Sequence, residues 1–540
     1  MQRALTCFAL MAVSTVSSVG WTEPSDFRDV NIRSCVPEPI YEVEPGFVEL
    51  YYKAWELAQK RIQQAPGMPS EYYMDENLIK CDFWIWDTCF MSLFCKYAPD
   101  VYPGVNTFDN FYAILLNDGT FKIPLVPCDN PWTATKIGDP TPLSIHIADN
   151  PPLFAWAELR HARMTGDRVR LLRVLKEKRY LQRYYDFVEN FKPGWQAYGV
   201  RNPVVASRVA AGYHWAGGQS GMDNTPRGKT TESFEKQRPD NPDLLWLDLL
   251  AQQALAARSI AEGLELLGEA DEAKTWRAKY GEKAGLLQRL YWDEEDGFFY
   301  DVFDSTKTRC KVMTVASFWA MAAGVASPTQ AKRMCTRLLP GGELASEAGV
   351  TSLSRKDPDY SPQGKYWRGS VWLPTDYMTI KALEDYGRFD LARDLALKTV
   401  RNQYAVYTNT VPHTIWECYA PDVARPATTA NGVTRVAKDF CGWSALGPIS
   451  LFIENVIGIQ GADGFARELK WRLPPKEIGK VGVRRYRFGG IACDLIRVGD
   501  IVSVRSDGAF ALWIDESRVG VTSGENRFRK MGSLWMKRED

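Results

Sequence analysis

The sequence is short of histidine, with four in 540 residues. Its eleven cysteines contain no Cys-x-x-Cys pair, so the ligand spacing of a zinc site is missing. Charge of either sign is not in surplus. Lys+Arg and Asp+Glu each total 66, which leaves no basic field to hold nucleic acid or an anionic membrane surface. Past the first twenty residues no apolar run reaches the ~18 residues that a membrane-spanning helix needs. What is present has the balance of a globular protein, 45% apolar and 24% charged, in a chain too long for a single ordinary core. One large domain with a smaller appendage is expected. Ten cysteines follow Cys7, an even but scattered set, and in an oxidising compartment some of them can pair.

Aromatic content is high, with 19 Trp and 24 Tyr. Indole faces stack on sugar rings, although Trp is also a large core residue. Residues 1–20 read as an export signal: Arg3, an apolar run from Ala4 to Val19 studded with Ser and Thr, and small residues at Ser17, Ser18 and Gly20 for cleavage. Residues 21–45 are a polar, Pro-containing lead-in. From Pro45 a helical pattern begins, with Phe47, Leu50, Tyr51, Ala54, Leu57 and Ile62 at three- and four-residue steps. A Pro-rich loop over 117–153 leads into Phe154-Ala155-Trp156. A theme then recurs. An apolar helix ends at a glycine (166, 268, 324, 387) and a short polar turn opens the next helix, which is the punctuation of αα-hairpins. One such helix is expected to start at Asn241-Pro242 and run to Gly268. The spacing of these glycines fits no strict short repeat. After about residue 465, alternating segments and Ser506-Asp507-Gly508 announce strands and hairpins. The expectation is therefore a mainly α chain: helical over 46–464, with a small β-rich region over 465–540.

Chemistry-bearing residues fall in four stretches. Trp84-Ile85-Trp86-Asp87-Thr88 sets two indoles beside a carboxylate, either a sugar platform or an aromatic helix start. Gln219-Ser220-Gly221-Met222-Asp223-Asn224-Thr225-Pro226-Arg227 holds Asp223 among turn-formers, so that a loop can present it at a fixed angle; an Asx-turn is the plainer alternative. Tyr366-Trp367-Arg368-Gly369-Ser370-Val371-Trp372 places a guanidinium between rings. Trp416-Glu417-Cys418-Tyr419-Ala420-Pro421, with Cys441-Gly442-Trp443-Ser444, offers a second carboxylate. Two carboxylates on separate loops are what an inverting glycosidase requires, one protonated to release the leaving group and one ionised to activate water.

In this order and over residues ~80–455, the four motifs resemble the (α/α)6-barrel glycoside hydrolase clan that contains trehalases, processing α-glucosidases and mannosylglycerate hydrolase-like enzymes. The resemblance implies a toroid of twelve alternating helices and an exported, exo-acting, inverting α-glycosidase without a cofactor or metal. Asp223 would be the general acid and Glu417 the general base. Trp84, Trp86, Asp87, Asn224, Arg227, Tyr366, Trp367, Arg368, Trp372, Trp416, Tyr419 and Trp443 would bind an oligosaccharide or small glycoside. Asp223 then needs a raised pKa and Glu417 a setting of hydrogen-bond donors; Arg368 is expected nearer the sugar or the base than the acid. Three features depart from the clan: Cys418, Asp376 before Tyr377, and the missing glycine after Pro421. The first two sit where relatives often place Asn. Two other readings stay open, a sugar isomerase or epimerase using His214 and His413, and a binding barrel without catalysis.

Overall fold

The computed structural model describes residues 30–76, 81–128, 136–196, 199–229 and 241–537. The expected export signal lies outside these residues. Six helical segments are buried almost all round: Ile85–Cys95, Phe154–Thr165, Leu247–Leu267, Phe318–Ala322, Leu373–Asp385 and the π-wound Gly447–Ile457. Each packs on the next in that order, and Gly447–Ile457 returns to Ile85–Cys95. Their sequences explain the burial. Ile85–Cys95 is mostly apolar, with Asp87, Thr88 and Ser92 the exceptions, and all its residues are buried.

Between them in the chain come Gly46–Gln59, Thr107–Leu115, Tyr180–Glu189, Ala270–Leu286, Pro328–Cys335 and Phe389–Asn409. Thr107–Leu115 is buried almost throughout, and the others bury one face more than the other. Phe389–Asn409 buries Ala392, Leu395, Ala396, Thr399, Val400, Gln403 and Val406, a single stripe at helical spacing. The glycines at 166, 268, 324 and 387 all carry the positive φ expected where a helix closes. Ser327 and Gln330 form a reciprocal capping box on Pro328–Cys335.

The β-rich region begins at Ile459, before the expected boundary, and holds two sheets. One has the strand order Glu38–Tyr41, Val481–Phe488, Ile491–Val498, Ile501–Ser506, Gly524–Met531, Leu534–Lys537. The other runs Ile459–Asp463, Glu468–Trp471, Phe510–Ile514, Ser517–Val521. Ile491–Val498 buries alternate residues, as a strand with one face on a core must. The lead-in is thus more than a tether. Its strand pairs antiparallel with Val481–Arg484, and Glu38 bridges Arg484 and Arg485 at 3.0 and 2.9 Å.

A second difference concerns the helix expected from Asn241. It starts at Leu247, because Leu244–Leu245 is drawn into a strand against Val302–Phe303. Of the cysteines, Cys81 and Cys128 form a disulfide, while Cys35, Cys89, Cys95, Cys310, Cys335, Cys418, Cys441 and Cys493 are free thiols. No described helix is long and apolar enough to cross a membrane.

Candidate active site

The buried helices share a polarity. Trp84 is the N-cap of Ile85–Cys95, Trp372 that of Leu373–Asp385, and Trp246 that of Leu247–Leu267. Trp443 and Ser444 precede Gly447–Ile457. The motif residues therefore gather where helix N-termini emerge into loops.

Asp223 follows the short helix Gly217–Ser220, closed by Gly221 at φ 79°. A Cβ on Gly221 would lie 2.9 Å from the Trp86 indole, so glycine is needed both for the turn and for the ring beneath it. The Met222 N–H donates to Ser220 Oγ (3.1 Å), and the Thr225 N–H donates to the Met222 carbonyl (3.0 Å). Asn224 stitches this loop to the aromatic–arginine stretch. Its amide donates to the Lys365 carbonyl at 3.0 Å and its Oδ1 accepts from the Trp367 N–H at 2.8 Å. Arg368 Nε donates to the Asn224 carbonyl at 3.1 Å.

Glu417 is buried and doubly held. The Tyr366 hydroxyl donates to Oε1 at 2.7 Å and the Ala437 N–H to Oε2 at 3.0 Å. Its backbone carbonyl accepts from Trp443 Nε1 at 2.8 Å and from the Ser444 hydroxyl at 3.0 Å. Tyr366 reaches Glu417 from a backbone at φ 63°, an uncommon conformation for an aromatic residue and a cost tolerated where a side chain must be aimed. Behind it, Trp367 and Trp372 stack with centroids 4.0 Å apart, and Trp443 lies 5.6 Å from Trp372.

The two carboxyls differ in electrostatics. Burial, followed by the charge of Glu417, pushes Asp223 up to about 7. Burial also raises Glu417, but the Ala437 N–H and the Tyr366 hydroxyl pull it back. Donors of this kind favour the charged form. Asp87, in the first turn of Ile85–Cys95, is held well above the carboxylate range by burial, with Asp223, Glu417 and Asp75 adding to the effect. Three carboxyls thus share one field. One is best suited to ionise, one is poised near neutrality, and one is held protonated. The pattern is that of an acid/base pair with an auxiliary proton-bearing carboxyl.

This geometry accords with what the chain resembles. Residues 142–440 match the mannosylglycerate hydrolase MGH1-like glycoside hydrolase domain. The chain belongs to that family. It is a glycoside hydrolase. An uncharacterized protein of Borreliella burgdorferi is 25% identical over 81% of this chain and 85% of its own length. A probable mannosyl-oligosaccharide glucosidase of Schizosaccharomyces pombe is 28% identical over 45% of this chain, which spans 30% of that protein. A periplasmic trehalase of Xanthomonas campestris is 25% identical over 52% of this chain and 48% of its own. Among solved structures, the GH63 mannosylglycerate hydrolase from Thermus thermophilus in complex with Tris and D-glycerate aligns with a TM-score of 0.51 at 18% identity. That alignment covers 74% of this chain and 99% of that one.

Several residues named from sequence sit elsewhere than expected in this glycoside hydrolase. Arg227 is 1% exposed and lies over Trp246 at 4.3 Å, 2.8 Å from Asp248 and 3.5 Å from Asp301. Its Nη2 also reaches Met222 Sδ at 3.6 Å, so it braces the Asp223 loop against Asp248. Tyr419 is likewise internal: its hydroxyl accepts from Gln403 Nε2 and from the Trp416 N–H, both at 3.2 Å. Trp367 is buried behind Trp372, and Trp416 is buried beside Glu417 in the chain. Trp84 packs 4.5 Å from His146. Arg368 ties its own stretch to the Asp223 loop through the Asn224 carbonyl, and its Nη1 lies 3.5 Å from Asp359. It does not figure among the influences on Asp223.

Asp87, raised by burial, can donate a hydrogen bond to a sugar hydroxyl as well as accept one. Asp376 is removed from the site: it accepts from the Thr399 hydroxyl at 2.8 Å and the Val350 N–H at 3.2 Å, and burial holds it at about 8. Asp75 and Glu76 went unnoticed in the sequence. Both are buried, and Glu76 is raised by burial, then by Asp75 and, more weakly, by Asp87. Adjacent acids directly after Tyr72-Tyr73-Met74 were the available signal.

Proposed function

We propose that the chain is an exported, inverting, exo-acting α-glycoside hydrolase on an (α/α)6 toroid, with Asp223 as general acid and Glu417 as general base. The observation that carries this reading is the contrast between the two carboxyls: Asp223, half-buried, with no ion pair among the described residues and raised to about 7, and Glu417, buried and fixed by two donors. The sequential packing of the buried helices and the family's solved relatives support the toroid. The Cys81–Cys128 disulfide supports an oxidising compartment.

In the proposed reaction the protonated Asp223 gives its proton to the glycosidic oxygen as the bond from that oxygen to the anomeric carbon breaks. Glu417 takes a proton from a water, whose oxygen forms the new bond from the opposite face. The sugar leaves with inverted configuration, Asp223 is left ionised and Glu417 protonated, and exchange with solvent resets both. Inversion demands a carboxyl separation of roughly 6.5–9.5 Å, to leave room for that water. Terminal α-glucosides, α-mannosides and glycosyl-glycerates are the substrates to screen, in keeping with the glucosidase, trehalase and mannosylglycerate hydrolase names of the relatives.

The histidines that the isomerase reading would use have no hydrogen bond to Asp223 or Glu417 among the described residues. His214 lies 3.6 Å from Asp304, and His413 is exposed with Nδ1 on the Tyr407 carbonyl. Proton NMR of the first-formed sugar tests the proposal. The anomer opposite to the substrate's is expected, and a retained anomer refutes the assigned pair.

A further inference from the structure

At the C-terminal ends of the buried helices lies a second cavity of about 290 Å³, walled by Lys96, Arg160, Ser259 and Asp385 and closed on one side by Gln460 and Tyr486 of the β-rich region. It is remote from the carboxyl pair. Ile85–Cys95 starts beside Asp87 and ends next to Lys96, a helix of eleven residues or about 16 Å.

Most charges around this cavity are matched. Glu454 takes Lys96 and Lys381, both at 2.7 Å. Lys381 also holds Glu384. Glu262 takes Arg258 and Arg163, and Arg163 also reaches Asp463. Asp385 has no ion pair among the described residues, and Arg160 is different again. Among the described residues its guanidinium has no hydrogen bond and no ion pair, and its one close partner is the Trp156 face at 5.4 Å. Tyr377, Asp385, Glu454 and Glu384 lie near enough to favour its charge against burial, yet none bonds it. Three more donors face the same space. Gln460 Nε2 is buried without a partner, and the Ser259 and Tyr486 hydroxyls also lack one among the described residues.

A planar guanidinium with free N–H groups, next to an amide and two hydroxyls, matches an acceptor with several oxygens on one atom. We propose that this cavity binds a small oxyanion, a phosphate or carboxylate group, gripped by Arg160 with Ser259, Gln460 and Tyr486 as further donors. Lys96 and Arg258 are engaged by Glu454 and Glu262, so Arg160 supplies the charge. The competing account is that Arg160 only offsets the negative ends of the converging helices, which needs no ligand.

Melting and calorimetric titration of the full chain with inorganic phosphate and, separately, with citrate separate the two, at fixed ionic strength and with chloride as control. The expected result is a rise of about one degree in Tm at about ten times Kd, growing with anion concentration, for one of the anions and not for chloride. Arg160→Gln should weaken that binding at least tenfold, while Asp223→Asn leaves it unchanged, which places the anion away from the hydrolytic site. Ser259→Ala and Tyr486→Phe should each weaken it several-fold, and they carry the test if Arg160→Gln does not fold. Phosphate alone points to a phosphorylated ligand, citrate alone to an organic acid. No anion-specific stabilisation of the wild type, or equal binding by Arg160→Gln, overturns the proposal. A lower Tm in Arg160→Gln without anion dependence also overturns it.

Discussion

Replacing Asp223 by Asn should make the protein less active and more stable, and the stability gain should depend on pH in a fixed direction. The folded protein holds Asp223 at about 7, against 3.8 for the free side chain. A carboxyl raised in this way contributes stability that is fully present below 3.8 and lost as pH rises to 7, because the unfolded chain releases the proton first. Above pH 7 the native state carries a charge in a place partly shielded from water and with Glu417 nearby. Asn has almost the shape of the neutral acid and no proton to lose. The difference between variant and wild type should therefore grow by on the order of 2–3 kcal/mol between pH 5 and pH 8. In a chain of this size that is a relative shift of a few degrees in melting temperature. Thermal melts of both proteins across that range measure it. Hydrolysis should fall by roughly 10²–10⁴ with an unactivated leaving group. A Tm difference that stays flat with pH, or shrinks toward pH 8, would refute the half-buried, proton-bearing Asp223 on which the acid role rests.

Tyr366→Phe removes the hydroxyl that donates to Glu417 Oε1 at 2.7 Å. The loss of one charge-assisted bond should raise the base's pKa by about 1–2 units and move the acid limb of the kcat/KM profile up by that amount; an unmoved limb counts against Glu417 as base. Gly221→Ala sets a methyl 2.9 Å from the Trp86 ring at φ 79°, so the acid loop must shift, and a fall in kcat of about 10² is expected. Arg227→Met strands Asp248 and Asp301, both buried. Denaturant melts should show a loss of about 3–5 kcal/mol, and a neutral result would mean the bracing described above is not needed.

The helical periodicity and the four helix-closing glycines were legible in sequence because both are local. The 3.6-residue stripe and the left-handed turn are written into adjacent residues. The strand Glu38–Tyr41 was not, because its partner Val481–Arg484 lies more than four hundred residues away and four residues carry little pattern of their own. The helix start at Leu247 was missed for the same reason, since Leu244–Leu245 is claimed by Val302–Phe303. At the site, Asp223 and Glu417 stood out through turn-formers and flanking aromatics, whereas Arg227 misled. An arginine at the end of a motif looks like a ligand-binding group, and only the fold reveals Asp248 and Asp301 beneath it. Asp75 and Glu76 escaped because an acid pair is most often a solvated surface feature.

The least expected group is Asp87, and its behaviour follows from crowding. Three carboxyls that share one field cannot all ionise near neutrality. Glu417 has two donors, while burial and neighbouring acids weigh most on Asp87. The first proton to leave therefore belongs to Glu417, the second to Asp223 near 7, and that of Asp87 stays. Such coupled groups titrate as a set, but the order predicts distinct phenotypes. Asp87→Asn imitates the protonated acid. It should retain hydrolysis within about tenfold, weaken binding of the terminal sugar, and leave the basic limb of kcat/KM in place. Were Asp87 ionised in the working enzyme, the same change would remove a negative charge beside Asp223 and lower that limb. A downward shift of about a unit in the basic limb of Asp87→Asn would thus reverse the order of ionisation and make Asp87 the charged neighbour that raises the acid.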